Sequence, residues 1–532
     1  MTRRVERPWL RTTNFGDVNA EAAALYPERT AVIADGFKLD HGELAGRAGR
    51  VAAVVHAHGI GRGDVVALAM GNDPRFVECL LGVLRAGAVA LLVNTKLGSE
   101  TLSYIGGHSA VRLIVGSATL ERVQQALLDG APTGCSVLTI GGDGSYEAEL
   151  TRQEPAATAA VDPDDLALLM YTSGSTGLPK GVMLSHSNTW WQARSDVRTM
   201  LLDWADRGLV MGPLYHANAL WAILLPMLYV GGSFVVLPEF DPPRVLEAIE
   251  RHGITFMSGT PSMYSLLLAE AERGDYDLSS IALLQCGSAP VPEELQVRIL
   301  ARFPQVELTE TYGLTEAGAN VLTPRWGVKK LGSTGLPVPD VEIRVVDPND
   351  PSRDVEIGEI GELWSRSPAN ALGYLNDPER TAEKFVGDGW VRTGDLFRRD
   401  EQGYCYFCGR TDDMISVGGE NVYPKEVETI ILGHPAVADV GVVPTRHPIK
   451  GEAPVAWVVL KPGAEVTEDE LRQYALANGP AYAHPRRIFF IDALPISGTN
   501  KLDRAALKQM TEEQLPGGLE PGGRREPEAT AP

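Results

Sequence analysis

The sequence predicts an α/β protein: a large N-terminal part of helix-covered sheets, then a mixed, barrel-like stretch, then a small domain with its own alternation of strands and helices. Three observations predict it. At 532 residues the chain exceeds what one hydrophobic core serves, so at least two domains are expected. Between about residues 27 and 300, nearly continuous apolar runs alternate with helix-length segments, the pattern of parallel sheets covered by helices. Beyond about residue 330 the strands shorten and tight turns multiply.

Thr30-Ala31-Val32-Ile33 reads as the first strand, followed by a helix over 44–58. Val65 to Met70 reads as a strand and 73–86 as the helix after it, with further strands at 88–93, 111–115, 136–140, 254–258 and 281–286. The most apolar long run, Leu220 to Leu237, has 18 residues, near the lower limit for a membrane span. Pro226 and Gly231-Gly232 interrupt it, so it reads as a buried helix followed by the strand Ser233 to Leu237, with peripheral membrane contact left open. In the barrel-like part, 330–411, Val341 to Asp347 and Gly361 to Trp364 are strands. Gly409-Arg410-Thr411-Asp412-Asp413 ends a strand-rich hairpin and opens a fresh α/β pattern of ordinary small-domain length. The expected division is 1–411, 412–512 and a disordered tail, 513–532, rich in Pro, Gly, Glu and Arg.

A formal charge of −21 argues against a dedicated binder of nucleic acid or anionic membrane, whose footprint would be basic. It leaves ATP open, because a local cluster can hold a phosphate. Five cysteines, Cys79, Cys135, Cys286, Cys405 and Cys408, make no disulfide scaffold, and the N-terminus lacks the apolar core of a secretory signal. A cytoplasmic location is expected. Cys405 and Cys408 form a C-x-x-C pair, but no second pair follows at zinc-site spacing.

Chemistry concentrates in Tyr171-Thr172-Ser173-Gly174-Ser175-Thr176-Gly177-Leu178-Pro179-Lys180-Gly181, which follows the apolar run Leu166 to Met170. Glycines let the backbone bring its N–H groups close to an anion, hydroxyls add donors, and Lys180 supplies a point charge. The spacing is not that of a Walker A loop, since proline precedes the lysine and glycine follows it.

Taken with five further motifs in order, this loop resembles the adenylate-forming enzymes, a superfamily that includes acyl-CoA and aryl-CoA synthetases, firefly luciferase and the adenylation domains of peptide synthetases. The other motifs are Pro213-Leu214-Tyr215-His216-Ala217-Asn218, Tyr312-Gly313-Leu314-Thr315-Glu316, Thr393-Gly394-Asp395, Gly409 to Asp413 leading to Gly418-Gly419-Glu420-Asn421-Val422-Tyr423-Pro424, and Pro495 to Lys501. The resemblance runs from about residue 20 to 510. It implies a distorted β-barrel subdomain in the large domain, and a small mobile C-terminal α+β domain hinged at Asp412. It implies a two-step reaction using ATP, Mg²⁺ and coenzyme A: a carboxylate attacks the α-phosphate and expels pyrophosphate, then a thiol attacks the acyl-adenylate and expels AMP.

The same resemblance assigns roles. Thr172, Ser173, Gly174, Ser175, Thr176, Gly177 and Lys180 hold the β- and γ-phosphates. Tyr312, beside Gly313, stacks on adenine, and Gly287, Ser288 and Ala289 line the adenine and acyl pocket. Thr315 contacts phosphate and Glu316 is the Mg²⁺ ligand, a hard oxygen donor. Asp395 takes the ribose hydroxyls, with Arg410 as a second ribose or phosphate contact. Lys501 drives adenylation, Gly418 and Gly419 pass beside the pantetheine tunnel, and His216 orients the acid or gates the thiol. Stripped of these motifs, Tyr312 and His216 read as core residues, Asp395 as a turn residue and Lys501 as a surface charge.

The fourth-motif region, Tyr215 to Trp221, contains no carboxylate to hold a substrate ammonium, so an amino acid is not expected. Apolar residues there, with Phe256, Met257 and Pro261, favour a hydrophobic acid. The reading leans to a medium- or long-chain fatty acid. An aryl-CoA ligase for benzoate- or cinnamate-like acids is the nearest rival, then an acyl-AMP ligase loading a carrier protein. A non-enzymatic nucleotide-sensing scaffold is the most distant, since Lys501, Glu316 and the phosphate loop are all present. Oligomeric state and regulation by lysine acetylation stay open.

Overall fold

The computed structural model describes residues 7, 10–142, 145–172, 178–323, 326, 328, 330–417, 420–496 and 502–519. Contacts divide the chain into two compact units. The first comprises Met1–Arg344, Trp364–Thr393 and Gly403–Cys405, and the second Val345–Leu363, Gly394–Gln402 and Tyr406–Pro532.

In the first unit the predicted apolar runs become two large sheets. One sets Ser136–Ile140, Val111–Ser117, Val65–Ala69, Val89–Leu92 and Leu166–Thr172 side by side and parallel. Lys180–Ser185 then adds antiparallel to Leu166–Thr172, and Gly373–Tyr374 antiparallel to that. The other runs Phe37–Asp40, Thr30–Ala34, Ser233–Val236, Arg207–Val210, Phe256–Gly259, Leu283–Gly287, Glu307–Leu314, Gly318–Thr323 and Leu336–Pro337. Its five central joins are parallel, the first and the last two antiparallel. All four residues of Val89–Leu92 and of Ser233–Val236 are buried, as strands covered on both faces require.

Local chemistry fixes the helix boundaries. The helix predicted from 44 begins at His41, because Asp40 accepts the Glu43 N–H at 2.7 Å while the Glu43 carboxylate accepts the Asp40 N–H at 3.0 Å. The apolar run 220–237 is a buried helical segment, Leu220–Leu224 continuing into Leu225–Val230, capped by Gly231 at φ 68° and followed by the strand Ser233–Val236. A left-handed cap is where glycine costs least. No described helix is long and apolar enough to cross a membrane.

Helices Ser99–His108 and Glu121–Gly130 approach backbone to backbone at Gly106, Gly107 and Gly130. A Cβ on Gly106 would land on the Leu127 carbonyl oxygen, one on Gly130 on the Ser103 carbonyl, and one on Gly107 would lie 2.8 Å from the Gly130 carbonyl.

His186 opens the helix His186–Met200 in full burial, and its Nδ1 accepts the Phe15 N–H at 3.0 Å. Burial lowers its pKa to about 4, against an upward pull from Asp165. A histidine depressed in the fold stabilises it above the unfolded pKa of 6.5, and that contribution is lost as pH falls toward 4. Between pH 7 and pH 5 the protein is expected to lose about 2 kcal/mol from this group. Urea titrations at both pH values measure it. His186→Asn, which can still accept the Phe15 N–H but does not titrate, should lose that much less.

The barrel-like part forms a five-stranded sheet of Glu342–Val346, Gly361–Arg366, Trp390–Arg399 and Phe385–Val386, with Cys405–Arg410 on Trp390–Arg399. Within the second unit, Glu420–Val422, Ile415–Val417, Gly451–Leu460 and Val437–His447 form a sheet in that order, and Arg487–Phe490 runs parallel to Gly451–Leu460. Helices Pro424–Leu432, Glu468–Asn478 and Arg504–Gln514 accompany it. Regular contacts continue past 512: the Leu519 N–H donates to the Arg446 carbonyl at 2.8 Å.

Candidate active site

The phosphate-loop motif joins two antiparallel strands. Thr172 ends the strand Leu166–Thr172, Lys180 opens Lys180–Ser185, and the two residues are register partners. Ser173, Gly174, Ser175, Thr176 and Gly177 lie outside the described residues, as do Gly418, Gly419 and Lys501. A Walker A loop leads from strand into helix. Here the helix His186–Met200 starts only after the return strand.

Thr315 and Glu316 sit in the hairpin turn between Glu307–Leu314 and Gly318–Thr323. The register slips between Tyr312 and Leu314, placing Gly313 at a bulge, and Gly318 closes the turn at φ 89°. Glu316 is 8% exposed, while Tyr312 and Thr315 are half-buried. The Tyr374 hydroxyl donates to Glu316 Oε1 at 2.7 Å, and Lys180 Nζ lies 5.2 Å from the centre of the Tyr374 ring. Burial, then the Glu316 carboxylate, push the Tyr374 phenol far above its ordinary pKa, so it stays protonated and donates. One side chain that the sequence reading did not single out therefore touches two residues that it did.

Glu316 fits a magnesium ion. A carboxylate carries about four lone-pair sites, and the Tyr374 hydroxyl takes one. The carboxylate is a hard oxygen donor.

Gly287, Ser288 and Ala289 follow the strand Leu283–Gly287. A Cβ on Gly287 would stand 2.6 Å from the Thr311 carbonyl oxygen, so only glycine allows the neighbouring strand so close just before Tyr312. Ser288 is left-handed, φ 64°, which is costly for a residue with a Cβ and typical of ligand clamps. Its Oγ accepts Asn218 Nδ2 at 3.4 Å, tying this turn to the motif that holds His216. His216 is itself half-buried, and its Nδ1 caps the short helix Ala217–Ala219 by accepting the Asn218 N–H at 3.4 Å.

A polar cavity of about 160 Å³ lies against Lys180, with Tyr104, His108, Tyr374 and Arg380 among its walls. Helix Ser99–His108 supplies Tyr104 and His108, whose rings stack at 5.0 Å, and His108 Nδ1 shares a 2.7 Å hydrogen bond with the Tyr171 hydroxyl. The glycine contacts of that helix therefore position one wall of the cavity.

In the second unit Asp395 and Arg410 come together, as their motifs imply: Arg410 Nε is 3.8 Å from Asp395 and donates to Asp412 at 2.9 Å. Gly394, at φ 77°, donates its N–H to Glu362 and accepts from the Thr411 hydroxyl at 3.0 Å. That turn holds Asp395 beside the Gly409 to Asp413 segment.

An α/β body with a hydroxyl-rich, glycine-rich sequence between two antiparallel strands and ending in lysine, a buried carboxylate bonded to a tyrosine whose ring faces that lysine, and a paired Asp–Arg suits an enzyme that handles nucleotide phosphates. The chain belongs to the AMP-binding enzyme family, whose main domain matches residues 19–375 and whose C-terminal domain matches 426–501. It is similar to the feruloyl-CoA synthase of Amycolatopsis sp, 35% identical across 94% of this chain and 99% of that protein. It is also similar to 4-coumarate–CoA ligase 2 of Nicotiana tabacum, 32% identical across 88% of each. The crystal structure of ATP-bound MatB from Rhodopseudomonas palustris superposes with a TM-score of 0.87 at 30% identity, over 94% of this chain and 99% of that one. The protein is an ATP-dependent, AMP-forming carboxylic acid–CoA ligase of a family for which Mg²⁺ is general, and its fold is that of the adenylate-forming superfamily.

Proposed function

We propose that the acid activated by this chain is aromatic, of the phenylpropenoic kind named for its relatives, and that it leaves as the CoA thioester. The observation that carries this is the 35% identity to a feruloyl-CoA synthase over nearly the full length of both chains, with a coumarate ligase close behind. The apolar sequence around Tyr215 to Trp221 and Phe256 to Pro261 suits a flat hydrophobic ring, which buries area without needing polar partners. The same stretch supports a medium- or long-chain fatty acid, the second reading.

In this reading Thr172, the loop after it and Lys180 hold the β- and γ-phosphates, Tyr312 stacks on adenine, and Asp395 accepts from the ribose hydroxyls beside Arg410. Glu316 would hold the Mg²⁺, which when bound neutralises charge on the phosphoryl oxygens. Thr315 donates to phosphate, and the Gly287–Ala289 turn borders adenine and the acid. His216 contacts the acid carboxylate. Lys501 serves adenylation, Gly418 and Gly419 serve thiol attack, and Asp412 is the pivot between the two half-reactions.

A pyrophosphate-release screen over aromatic and aliphatic acids, with and without CoA and with thioester detection, tests the assignment. Cinnamate-like acids should lead in kcat/KM. A lead of alkyl acids by about tenfold, worth roughly 1.4 kcal/mol of transition-state binding, would replace the ring with a chain. Pyrophosphate release with no CoA thioester formed would point instead to a carrier-protein thiol.

A further inference from the structure

We propose that Tyr374 is a positioning residue for adenylation, setting the Glu316 carboxylate and the Lys180 ammonium at a fixed separation before nucleotide arrives. The proposal rests on the reading of Glu316 as the Mg²⁺ ligand and Lys180 as a phosphate contact.

The geometry is specific. Tyr374 is 5% exposed and uses both of its chemical faces. Its hydroxyl donates to Glu316 Oε1 at 2.7 Å, and its ring lies 5.2 Å from Lys180 Nζ. A hydrogen bond to one carboxylate oxygen fixes which lone pairs stay available and in which direction, as partners of metal ligands do. A ring face attracts an ammonium without removing any of its three donors, so Lys180 can be held and still serve an anion.

Tyr374 is itself over-determined. Its strand, Gly373–Tyr374, pairs with Lys180–Ser185, the strand that Lys180 opens, in the register Tyr374↔Val182. Its N–H donates to the Thr381 hydroxyl at 2.9 Å, that hydroxyl donates to the Asp377 carbonyl at 2.7 Å, and Phe385 meets the ring edge-on at 5.9 Å. On the other side, the Ala371 N–H donates to the Glu316 carbonyl at 2.9 Å, so the segment carrying Tyr374 also grips the backbone of Glu316. A side chain placed by this many contacts can transmit its position to the two groups it touches.

The test uses the full-length enzyme and three variants. Tyr374→Phe keeps the ring and removes the donor. Thr381→Ala loosens the tyrosine without touching Glu316. Glu316→Gln tests the underlying assignment. Binding of Mn²⁺ in the presence of a non-hydrolysable ATP analogue, followed by electron paramagnetic resonance, is read beside the Mg²⁺ dependence of pyrophosphate release and the rate of thioester formation from supplied acyl-adenylate.

Tyr374→Phe should weaken Mn²⁺ binding about tenfold and raise the Mg²⁺ requirement equally, with the thioester step unchanged. Thr381→Ala should move the same two readouts in the same direction by less. If Glu316→Gln weakens Mn²⁺ binding and Tyr374→Phe, folded by circular dichroism, does not, the positioning role is wrong while the metal assignment stands. If Glu316→Gln leaves Mn²⁺ binding unchanged, the metal assignment itself fails and the proposal goes with it. Should Tyr374→Phe not fold, the Thr381→Ala result decides, and an unshifted Mn²⁺ affinity there overturns the proposal.

Discussion

Lys501→Ala is expected to slow acyl-adenylate formation by about 100-fold or more while thioester formation from supplied adenylate continues nearly unchanged. Charge builds on the α-phosphate and the departing pyrophosphate in the first half-reaction, and removing one well-placed donor from such a transition state typically costs about 100- to 1,000-fold. When sulfur attacks the acyl carbon, AMP departs and takes the charge onto its own phosphate, but in the proposed cycle the C-terminal domain has by then turned about Asp412 and withdrawn Lys501, so the second half-reaction has little to lose. The measurement is single-turnover kinetics of each half, pyrophosphate release for one and thioester appearance for the other. Equal losses in both would mean that Lys501 supports the fold or binds substrate uniformly. Lys501→Arg separates charge from geometry, because a planar guanidinium keeps the charge but not the point-like ammonium. Partial recovery by arginine would assign the effect to charge, and none would assign it to placement.

The second large effect falls on stability. Gly106→Ala is expected to destabilise the first unit by about 3 kcal/mol or more, the upper end for overpacking, because the new methyl meets the backbone carbonyl of Leu127 rather than a side chain that could turn away. Gly46→Ala is the matched control. It lies within the helix His41–Ala57, a Cβ there meets nothing within 4 Å, and the exchange should stabilise by about 0.5–1 kcal/mol through helix propensity and unfolded-chain entropy. Urea midpoints of both variants against the parent settle the contrast in sign. Since the Gly106 helix also carries Tyr104 and His108 to the cavity beside Lys180, any folded Gly106→Ala should bind ATP more weakly than its residual stability alone implies.

Apolar runs were enough to place the strands 30–34, 65–69, 111–117 and 136–140 within a residue or two, because strands covered on both faces, such as 65–69, are apolar at nearly every position, while the edge strand 136–140 still buries Leu138 and Ile140. Helix starts were less legible. The capping box at Asp40 and Glu43 extends its helix upstream of the apolar stripe, and that signal is a spacing of polar residues rather than a hydrophobic pattern. The glycines of 99–108 and 121–130 look like helix weakeners in one dimension, and their use appears only when a second helix lies against them.

The chemistry divides in the same way. The loop from Thr172 to Lys180, the Tyr312 to Glu316 turn and the Asp395 and Arg410 motifs were singled out because each is a short run of neighbouring residues, and the roles proposed for them come from the resemblance those runs carry. Tyr374 could not be singled out this way. Its partners Glu316 and Lys180 are 58 and 194 positions away in numbering, and a tyrosine after glycine carries no mark of the carboxylate it will meet. That meeting depends on one strand of two residues lying beside Lys180–Ser185, a long-range pairing that stacks side chains from distant segments and that local composition does not encode.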